Sequence, residues 1–177
     1  TDKKFAGSDT FATSLILASA IRKISGVDLV ICGKQAIDGD TAQVGPGIAA
    51  HLSIPQAVNV AEISPAGSGV KIVRIFEESS EEVLLSCPAV LVCEKAVNAP
   101  RVPSLHSARL SRQTHIGIWN CSDLEINENK IGLKGSPTRV VKTHPSDFQH
   151  RESIVFDNND GRACSKIYYE LLTRKLI

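Results

Sequence analysis

The sequence predicts an α/β fold in which helices cover a mainly parallel sheet, and two observations support this class. Apolar residues recur every four positions in residues 12–24, directly after a Ser-Asp-Thr cluster that is typical of a helix N-cap. An apolar run at residues 27–32 then predicts a buried strand, and a second helix is predicted to start at Val44. Such alternation of helix and strand is typical of a parallel sheet.

Four short strand-like runs follow the second helix and predict an antiparallel excursion from this sheet. Turns rich in glycine, serine or glutamate separate them. The last run is apolar throughout, so we expect it to return to the sheet and to be buried on both faces. The runs occupy residues 57–63, 69–77, 82–86 and 89–93.

The rest of the chain is less regular. A short helix is predicted around residues 105–112, and strands are predicted at residues 116–119 and 137–142. A polar stretch broken by glycine and proline precedes a closing helix at residues 163–177. A long irregular stretch of this kind is typical of an arm that packs on a partner.

Composition excludes several classes of function. Of the 177 residues, 42% are hydrophobic and 22% are charged, and the formal net charge of +1 argues against nucleic acid or a membrane surface as partner. No apolar run approaches the ~20 residues of a membrane helix, so we expect no membrane insertion. Five cysteines without a C-x-x-C pair indicate the reduced thiols of a cytoplasmic protein. The histidines and cysteines show no spacing typical of metal ligands, and the sequence shows no nucleophile–base pair. We therefore predict no metal-binding and no catalytic residue.

The polar, glycine-bearing loop at residues 33–45 is the strongest functional signal. It lies between the predicted strand end and the helix start, where an open α/β sheet binds its ligands. Unpaired N–H groups at a helix start favour an anion, which suggests a phosphate-bearing ligand, such as a nucleotide. Neither common glycine-rich phosphate motif is present, so the residues alone leave open a nucleotide site or an ordinary capped loop.

Five ordered segments resemble the beta subunits of electron transfer flavoproteins. The loop Gly-Lys-Gln-Ala-Ile-Asp-Gly-Asp at residues 33–40, followed by Gln43, resembles their nucleotide loop. The segment Phe-Ala-Gly-Ser-Asp-Thr-Phe-Ala-Thr-Ser resembles the helix entry of the flavin-rich bacterial members. The other segments resemble the part after the loop helix, the recognition loop and the start of the C-terminal part. Apart from the loop, the helix entry occupies residues 5–14, and the other three segments occupy residues 54–56, 98–105 and 133–138 in that order.

The resemblance implies a subunit that pairs with an alpha subunit and passes electrons between flavin enzymes, among them an acyl-CoA-type or other flavin dehydrogenase. In one branch the beta subunit holds AMP. In the other, electron-bifurcating branch it holds a second FAD that takes hydride from NADH. The segment at residues 7–14 resembles the second branch, so we favour FAD over AMP. The alternatives are a non-redox AMP- or ATP-binding module and a truncated paralogue that acts as a scaffold.

The resemblance also implies a Rossmann-like, three-layer parallel sheet of the adenine-nucleotide-binding type, and a division of the chain. Residues 1–125 are expected to form an α/β nucleotide-binding domain, and residues 126–177 a C-terminal arm and helix that dock on the partner subunit. The chain opens directly on a helix, whereas a parallel α/β domain usually begins on a strand. We therefore expect the N-terminal strands of the domain, which supply part of the cofactor site in the family, to be missing.

The cofactor site implied by the resemblance combines the loop with the first helix start. Backbone N–H groups of residues 39–44 would hold the phosphate, with Gln43 and Thr41 as side-chain donors and Gly39 allowing close approach. The site residues are Gly7, Asp9, Thr10, Thr13, Ser14, Gly33, Lys34, Gln35, Asp38, Gly39, Asp40, Thr41, Ala42, Gln43 and Val44.

Each of these residues also has a purely structural interpretation. Asp38 and Asp40 bind ribose hydroxyls or cap turns. Lys34 neutralises phosphate or is solvated, and Gln35 contacts the ligand or braces the loop. Asp9 and its neighbours line the flavin or form an ordinary N-cap.

Partner recognition is assigned to a separate loop. Leu105, with Pro103 before it, is the implied apolar anchor for a partner dehydrogenase, and otherwise packs on its own domain. Cys32 is assigned to the core rather than to a redox role, because electrons in this family travel through flavin.

Overall fold

The computed structural model describes residues 1–143 and 153–177, which form two compact units, Thr1–Val140 and Val141–Ile177. Residues 144–152, which belong to the predicted arm, lie outside the described residues. The described residues of the second unit include the helix α5, described below. None of the described helices is long and apolar enough to cross a membrane.

The described helices and strands follow the predicted alternation over the first half of the chain. The predicted helix at residue 105 is also confirmed, whereas the closing helix ends at Thr173 instead of Ile177. In chain order they are α1 (Thr10–Ile24), β1 (Leu29–Gly33), α2 (Val44–Leu52), β2 (Gln56–Ala66), β3 (Gly69–Ile75), β4 (Ser80–Ser86), β5 (Ala89–Cys93), α3 (Leu105–Ser111), α4 (Gly132–Gly135) and α5 (Ala163–Thr173).

The five strands form a single mixed sheet in the order β1-β5-β2-β3-β4. β5 pairs in parallel with β1 on one side and with β2 on the other. β2, β3 and β4 are antiparallel neighbours joined by short turns. The predicted antiparallel excursion and the return of the last strand to the parallel part are therefore confirmed.

β5 lies at the centre of the core, and all five of its residues are buried. Leu91 belongs to one apolar cluster, together with Val60 of β2 and Ile72 of β3. Val90 faces a second cluster that contains Ile48 of α2. This alternation is what a strand covered on both faces requires, and it explains the continuous apolar run in the sequence.

Two glycines of α2 allow the helix to approach its neighbours closely. A Cβ atom on Gly45 would clash with the Val92 side chain of β5. A Cβ atom on Gly47 would lie 2.6 Å from Ser14 Oγ and 2.8 Å from Ser14 Cβ, in α1. Helix α2 is therefore held between the sheet and α1 by two close contacts.

Three expectations about strands are wrong. β1 is only half-buried, and Ile31 is 62% exposed, because among the described strands β1 has β5 alone as a neighbour. Residues 116–119 and 137–142 are not strands. Ile116 and Ile118 are exposed, and none of the described strands pairs with their segment, so an apolar pattern alone did not produce a strand.

The variant Gly47→Ala tests the contact between α1 and α2. We expect it to lower the free energy of unfolding by about 1–3 kcal/mol, since the added methyl group must displace the buried Ser14. Urea denaturation of the variant and the unchanged chain measures the difference.

Gly117→Ala is the matched control, because a Cβ atom there meets nothing within 4 Å. We expect this control to change stability by less than about 0.5 kcal/mol. Equal stability of the two alanine variants would contradict the close contact.

Candidate functional site

The candidate site is a cleft of about 1160 Å³ beside the carboxyl end of β1. β1 and β5 end together, since Gly33 and Cys93 are paired, and the loop that leaves β1 leads into α2. Ligands of open α/β sheets bind at this edge. The cleft is lined by Ser8, Asp9, Thr10, Phe11, Thr13, Cys32, Gly33, Lys34, Gln35, Ala36, Asp38, Gly39, Asp40, Thr41, Ala42, Gln43, Val44, Gly45, Pro137, Thr138 and Val140.

The loop between β1 and α2 is braced by its own polar groups. The Asp40 N–H donates to the Ala36 carbonyl at 2.9 Å, and the Gln35 side-chain amide donates to the Asp40 carboxylate. Asp40 and Ala42 have φ angles of 50° and 54°, in the left-handed region that non-glycine residues seldom occupy. Asp tolerates this conformation better than Ala, so Ala42 is the more strained of the two positions.

The start of α2 presents a row of backbone donors to the cleft. Among the described residues, the N–H groups of Thr41, Ala42, Gln43, Val44 and Gly45 donate no hydrogen bond. Gln43, Val44 and Gly45 form the N-cap and first turn of α2, where unpaired N–H groups are normal and carry the positive end of the helix dipole, whereas Pro46 has no N–H group. The arrangement can hold an anionic group such as a phosphate.

Gln43 connects the two helices that border the cleft. Its side-chain oxygen accepts a hydrogen bond of 2.9 Å from the Thr10 hydroxyl at the start of α1. The Gln43 side chain makes no capping bond to its own helix. This contact orients the amide so that its NH₂ group can serve as a donor to a ligand.

Asp9 is the N-cap of α1 and a contact point for a distant segment. One carboxylate oxygen accepts the Ala12 N–H at 3.0 Å, and the other accepts the Thr138 N–H at 2.9 Å and the Thr138 hydroxyl at 2.8 Å. Burial acts to raise the pKa of the Asp9 carboxyl, but these hydrogen bonds outweigh it and hold the pKa below its ordinary value.

Lys34 is already paired within the protein. Its ammonium lies 2.9 Å from a carboxylate oxygen of Glu94, the residue that follows β5. The pair joins the ends of two adjacent parallel strands. Lys34 lines the cleft, but its charge is directed at Glu94, and a role as phosphate counter-ion stays a prediction.

Most of the sequence-predicted site residues come together in this cleft, and a few do not. Ser14 is 1% exposed between α1 and α2, where its hydroxyl donates to the Phe11 carbonyl. Gly7 packs against Leu133 rather than lining the cleft. The structure therefore does not bring Gly7 or Ser14 to the cleft, and their predicted contacts with a cofactor are not supported by it.

One wall of the cleft was not predicted from the sequence. Pro137, Thr138 and Val140 line it, although the predicted function used residues 133–138 only as a family motif. No local pattern places them beside residue 9, because the contact spans most of the first unit.

Cys32, which the sequence assigned to the core, lines the cleft and is half-buried, and burial raises the pKa of its thiol. It is therefore protonated at neutral pH.

Comparison with known proteins identifies the family. A family model described as the electron transfer flavoprotein domain matches residues 1–123. The chain is 39% identical over 178 residues to the electron transfer flavoprotein subunit beta of Thermoanaerobacterium thermosaccharolyticum, an alignment that covers 100% of this chain and 68% of that relative. The chain therefore belongs to the electron transfer flavoprotein family, and the predicted resemblance to its beta subunits is confirmed.

Two further relatives carry names from reductase complexes. The acryloyl-CoA reductase electron transfer subunit gamma of Anaerotignum propionicum is 41% identical over 183 residues, covering 99% of this chain and 68% of that relative. The caffeyl-CoA reductase-Etf complex subunit CarD of Acetobacterium woodii is 39% identical over 142 residues, covering 80% of this chain and 54% of that relative. The chain thus spans between about half and about two thirds of the length of these relatives.

The lowered pKa of Asp9 leads to a prediction about acid stability. The ordinary pKa of the group is 3.8, and the folded value lies below it. The stabilising contribution of the carboxylate is therefore fully present above the ordinary value and is lost as the pH falls through the folded value. We expect wild type to be more stable than Asp9→Asn at neutral pH, with the difference shrinking as the pH falls below the ordinary value of 3.8.

Urea denaturation of both proteins at a series of pH values measures this difference. A difference that stays constant, or grows in acid, would contradict the assigned hydrogen bonds.

Proposed function

We propose that this chain acts as the beta subunit of an electron transfer flavoprotein, which holds FAD and passes electrons between NADH or dehydrogenases and acceptor flavoproteins. The observation that carries the proposal is the row of unpaired amides from Thr41 to Gly45 at the edge of the cleft. These donors suit the phosphates of a nucleotide. Membership in the family supports the redox class of the function.

The residues of the cleft fit a nucleotide in a consistent way. The amides of the α2 start would hold the phosphate, with the Gln43 amide and the Thr41 hydroxyl as further donors. Asp38 and the second carboxylate oxygen of Asp40 would accept hydrogen bonds from ribose hydroxyls, while Gln35 braces the loop. FAD supplies the electron and hydride chemistry when it is bound, and the protein binds and orients it.

FAD is favoured over AMP by the resemblance. The cleft, at about 1160 Å³, has room for either ligand. Residues 7–14 resemble the flavin-rich members of the family. We therefore propose FAD as the ligand, with AMP as the alternative.

The proposed partners are an alpha subunit and a flavin dehydrogenase of the acyl-CoA type. The relatives named for caffeyl-CoA and acryloyl-CoA reductases support the second partner class. We propose that residues 1–125 form the α/β nucleotide-binding domain. Residues 126–177 are proposed to form an arm that docks on the alpha subunit. We propose a Rossmann-like, three-layer arrangement for the complete domain and a cytoplasmic location.

Pro103 and Leu105 are the proposed recognition residues for the dehydrogenase. Leu105 is 92% exposed at the first position of α3. The Ser104 hydroxyl caps this helix by accepting the Ser107 N–H at 3.1 Å. The cap gives the exposed leucine a defined position, as an apolar anchor requires.

Absorption spectroscopy tests the cofactor assignment. The chain is purified together with its alpha subunit, and its spectrum is recorded before and after NADH is added. We expect flavin absorption bands that bleach with NADH. A colourless complex that carries AMP would overturn the FAD assignment, and a complex without any nucleotide would overturn the proposed function.

The variant Gln43→Glu tests the phosphate position within the loop. Glutamate can still accept from Thr10, but it replaces the amide donor with a negative charge. We expect nucleotide affinity to fall about tenfold or more, as measured by calorimetry on the complex. Gln56→Glu is the matched control, since Gln56 is exposed at the opposite end of the sheet, where β2 begins. Equal affinities of the two variants would contradict this phosphate position.

The variant Leu105→Ala tests partner recognition. We expect electron transfer to the dehydrogenase to weaken about tenfold or more, because an exposed apolar anchor is removed, while the flavin content stays unchanged. Leu84→Ala, at another exposed leucine on β4, serves as the control. Transfer kinetics at varied dehydrogenase concentration provide the measurement, and equal rates for both variants would argue against Leu105 as the anchor.

A further inference from the structure

One wall of the cleft is held by contacts between segments that are far apart in the sequence. Oxygen Oδ2 of Asp9 accepts two hydrogen bonds from Thr138, one from its N–H at 2.9 Å and one from its hydroxyl at 2.8 Å. In return, the Asp9 N–H donates to the Ser136 hydroxyl oxygen at 2.8 Å. We call the contacts among Asp9, Ser136 and Thr138 the clasp.

Neighbouring contacts strengthen the clasp. The Ser136 hydroxyl donates to the Gly132 carbonyl at 2.7 Å, so that it links α4 to the start of α1. The Gly132 N–H donates to the Ser8 hydroxyl oxygen at 2.9 Å. Residues 132–138 are thus fixed to residues 8–9 at several points, and all of these contacts lie within the first unit.

The other Asp9 oxygen has a separate task. Oδ1 accepts the Ala12 N–H at 3.0 Å, as an N-cap does. Capping α1 therefore needs only one of the two oxygens. The second oxygen, Oδ2, accepts its two bonds from a residue 129 positions away. An N-cap role alone does not explain why the residue carries a carboxylate.

The clasp sets the position of cleft-lining residues. Pro137 and Thr138 both line the cleft and lie at the end of the fixed segment. Pro137 and Phe11 also line a second, smaller cavity of about 440 Å³, so the clasped segment borders both spaces. Release of the segment would remove this wall.

We infer that Asp9 is a positioning residue, which holds Pro137 and Thr138 as a wall of the cleft and supports ligand binding through Thr138 rather than by touching the ligand. Both carboxylate oxygens are already engaged by protein donors, so a ligand hydroxyl would have to compete with them. The effect on ligand binding rests on the proposed function, whereas the clasp itself does not.

Asp9→Ser separates the two tasks of the residue. Serine is a good N-cap and keeps an acceptor for the Ala12 N–H, but its short side chain does not reach Thr138. Thr138→Val removes the hydroxyl donor from the other side, and Thr138→Ser is its matched control because the hydroxyl remains. The double variant, which combines Asp9→Ser with Thr138→Val, completes a double-mutant cycle. Because the two residues contact each other, the effects of the single variants should not add.

Trypsin digestion of the full chain without ligand tests the clasp. Lys134 and Arg139 flank the clasped residues, and Arg174 at the end of α5 provides an internal reference. We expect cleavage at the two flanking sites to be about tenfold faster in Asp9→Ser relative to the reference, and unchanged in Thr138→Ser. Unchanged cleavage in Asp9→Ser would overturn the clasp.

FAD and AMP affinities of the same proteins, as complexes with the alpha subunit, test the positioning role. We expect about tenfold weaker binding in Asp9→Ser, a smaller loss in Thr138→Val because its N–H still donates to Asp9, no loss in the double variant beyond that of Asp9→Ser, and wild-type affinity in Thr138→Ser. Thermal unfolding of each variant detects a general loss of fold, and a loss of affinity that only follows a lower melting temperature contradicts positioning.

The outcomes distinguish the positioning role of Asp9 from the proposed function of the chain. Fast cleavage with unchanged affinity overturns the positioning role and leaves the proposed function intact. A wild-type complex that binds neither FAD nor AMP overturns the proposed function and, with it, the effect on ligand binding. The digestion result decides the clasp in either case.

Discussion

Burial of β5 on both faces is the constraint on which the cleft depends. Its residues alternate between two apolar clusters, one formed with α2 and one formed with β2, β3 and β4. Each fully buried valine or leucine contributes about 1.5–3 kcal/mol, so neither face can shift without a large loss. The fixed end of β5 positions Glu94, which pairs with Lys34, and the packing of α2 on the strand positions the row of amides.

The side-chain charges of the cleft and its backbone donors differ in whether they have partners within the protein. The side-chain charges of Lys34 and Asp9 are engaged by protein partners, whereas the backbone donors of the α2 start have no acceptor among the described residues. An anion would therefore be held mainly by dipoles that the fold aligns. Backbone amides do not titrate, so such a site keeps its donor character over the whole range of cellular pH.

The sequence predicts local features well where one strong pattern determines them. The Asp9 cap and the four-residue period predict α1, and the continuous apolar run predicts β5, because each depends on nearby residues. The loop of the candidate site is predicted for the same reason. The partner of a strand is not a local property, so the apolar residues 116–119 misled the strand assignment, and the exposure of Ile31 was missed. The contact between Asp9 and Thr138 depends on the fold of the whole intervening chain, so no local sequence pattern in either segment predicts it.

The outer edge of β1 has a consequence for the behaviour of the isolated chain. Among the described strands β1 pairs with β5 alone, so its other edge offers backbone N–H and C=O groups beside the exposed Ile31. An open, apolar strand edge is a template on which another chain can add a strand, and natural sheets usually cover or charge such edges. β1 is therefore an edge at which the isolated chain can self-associate, and covering this edge would reduce such association.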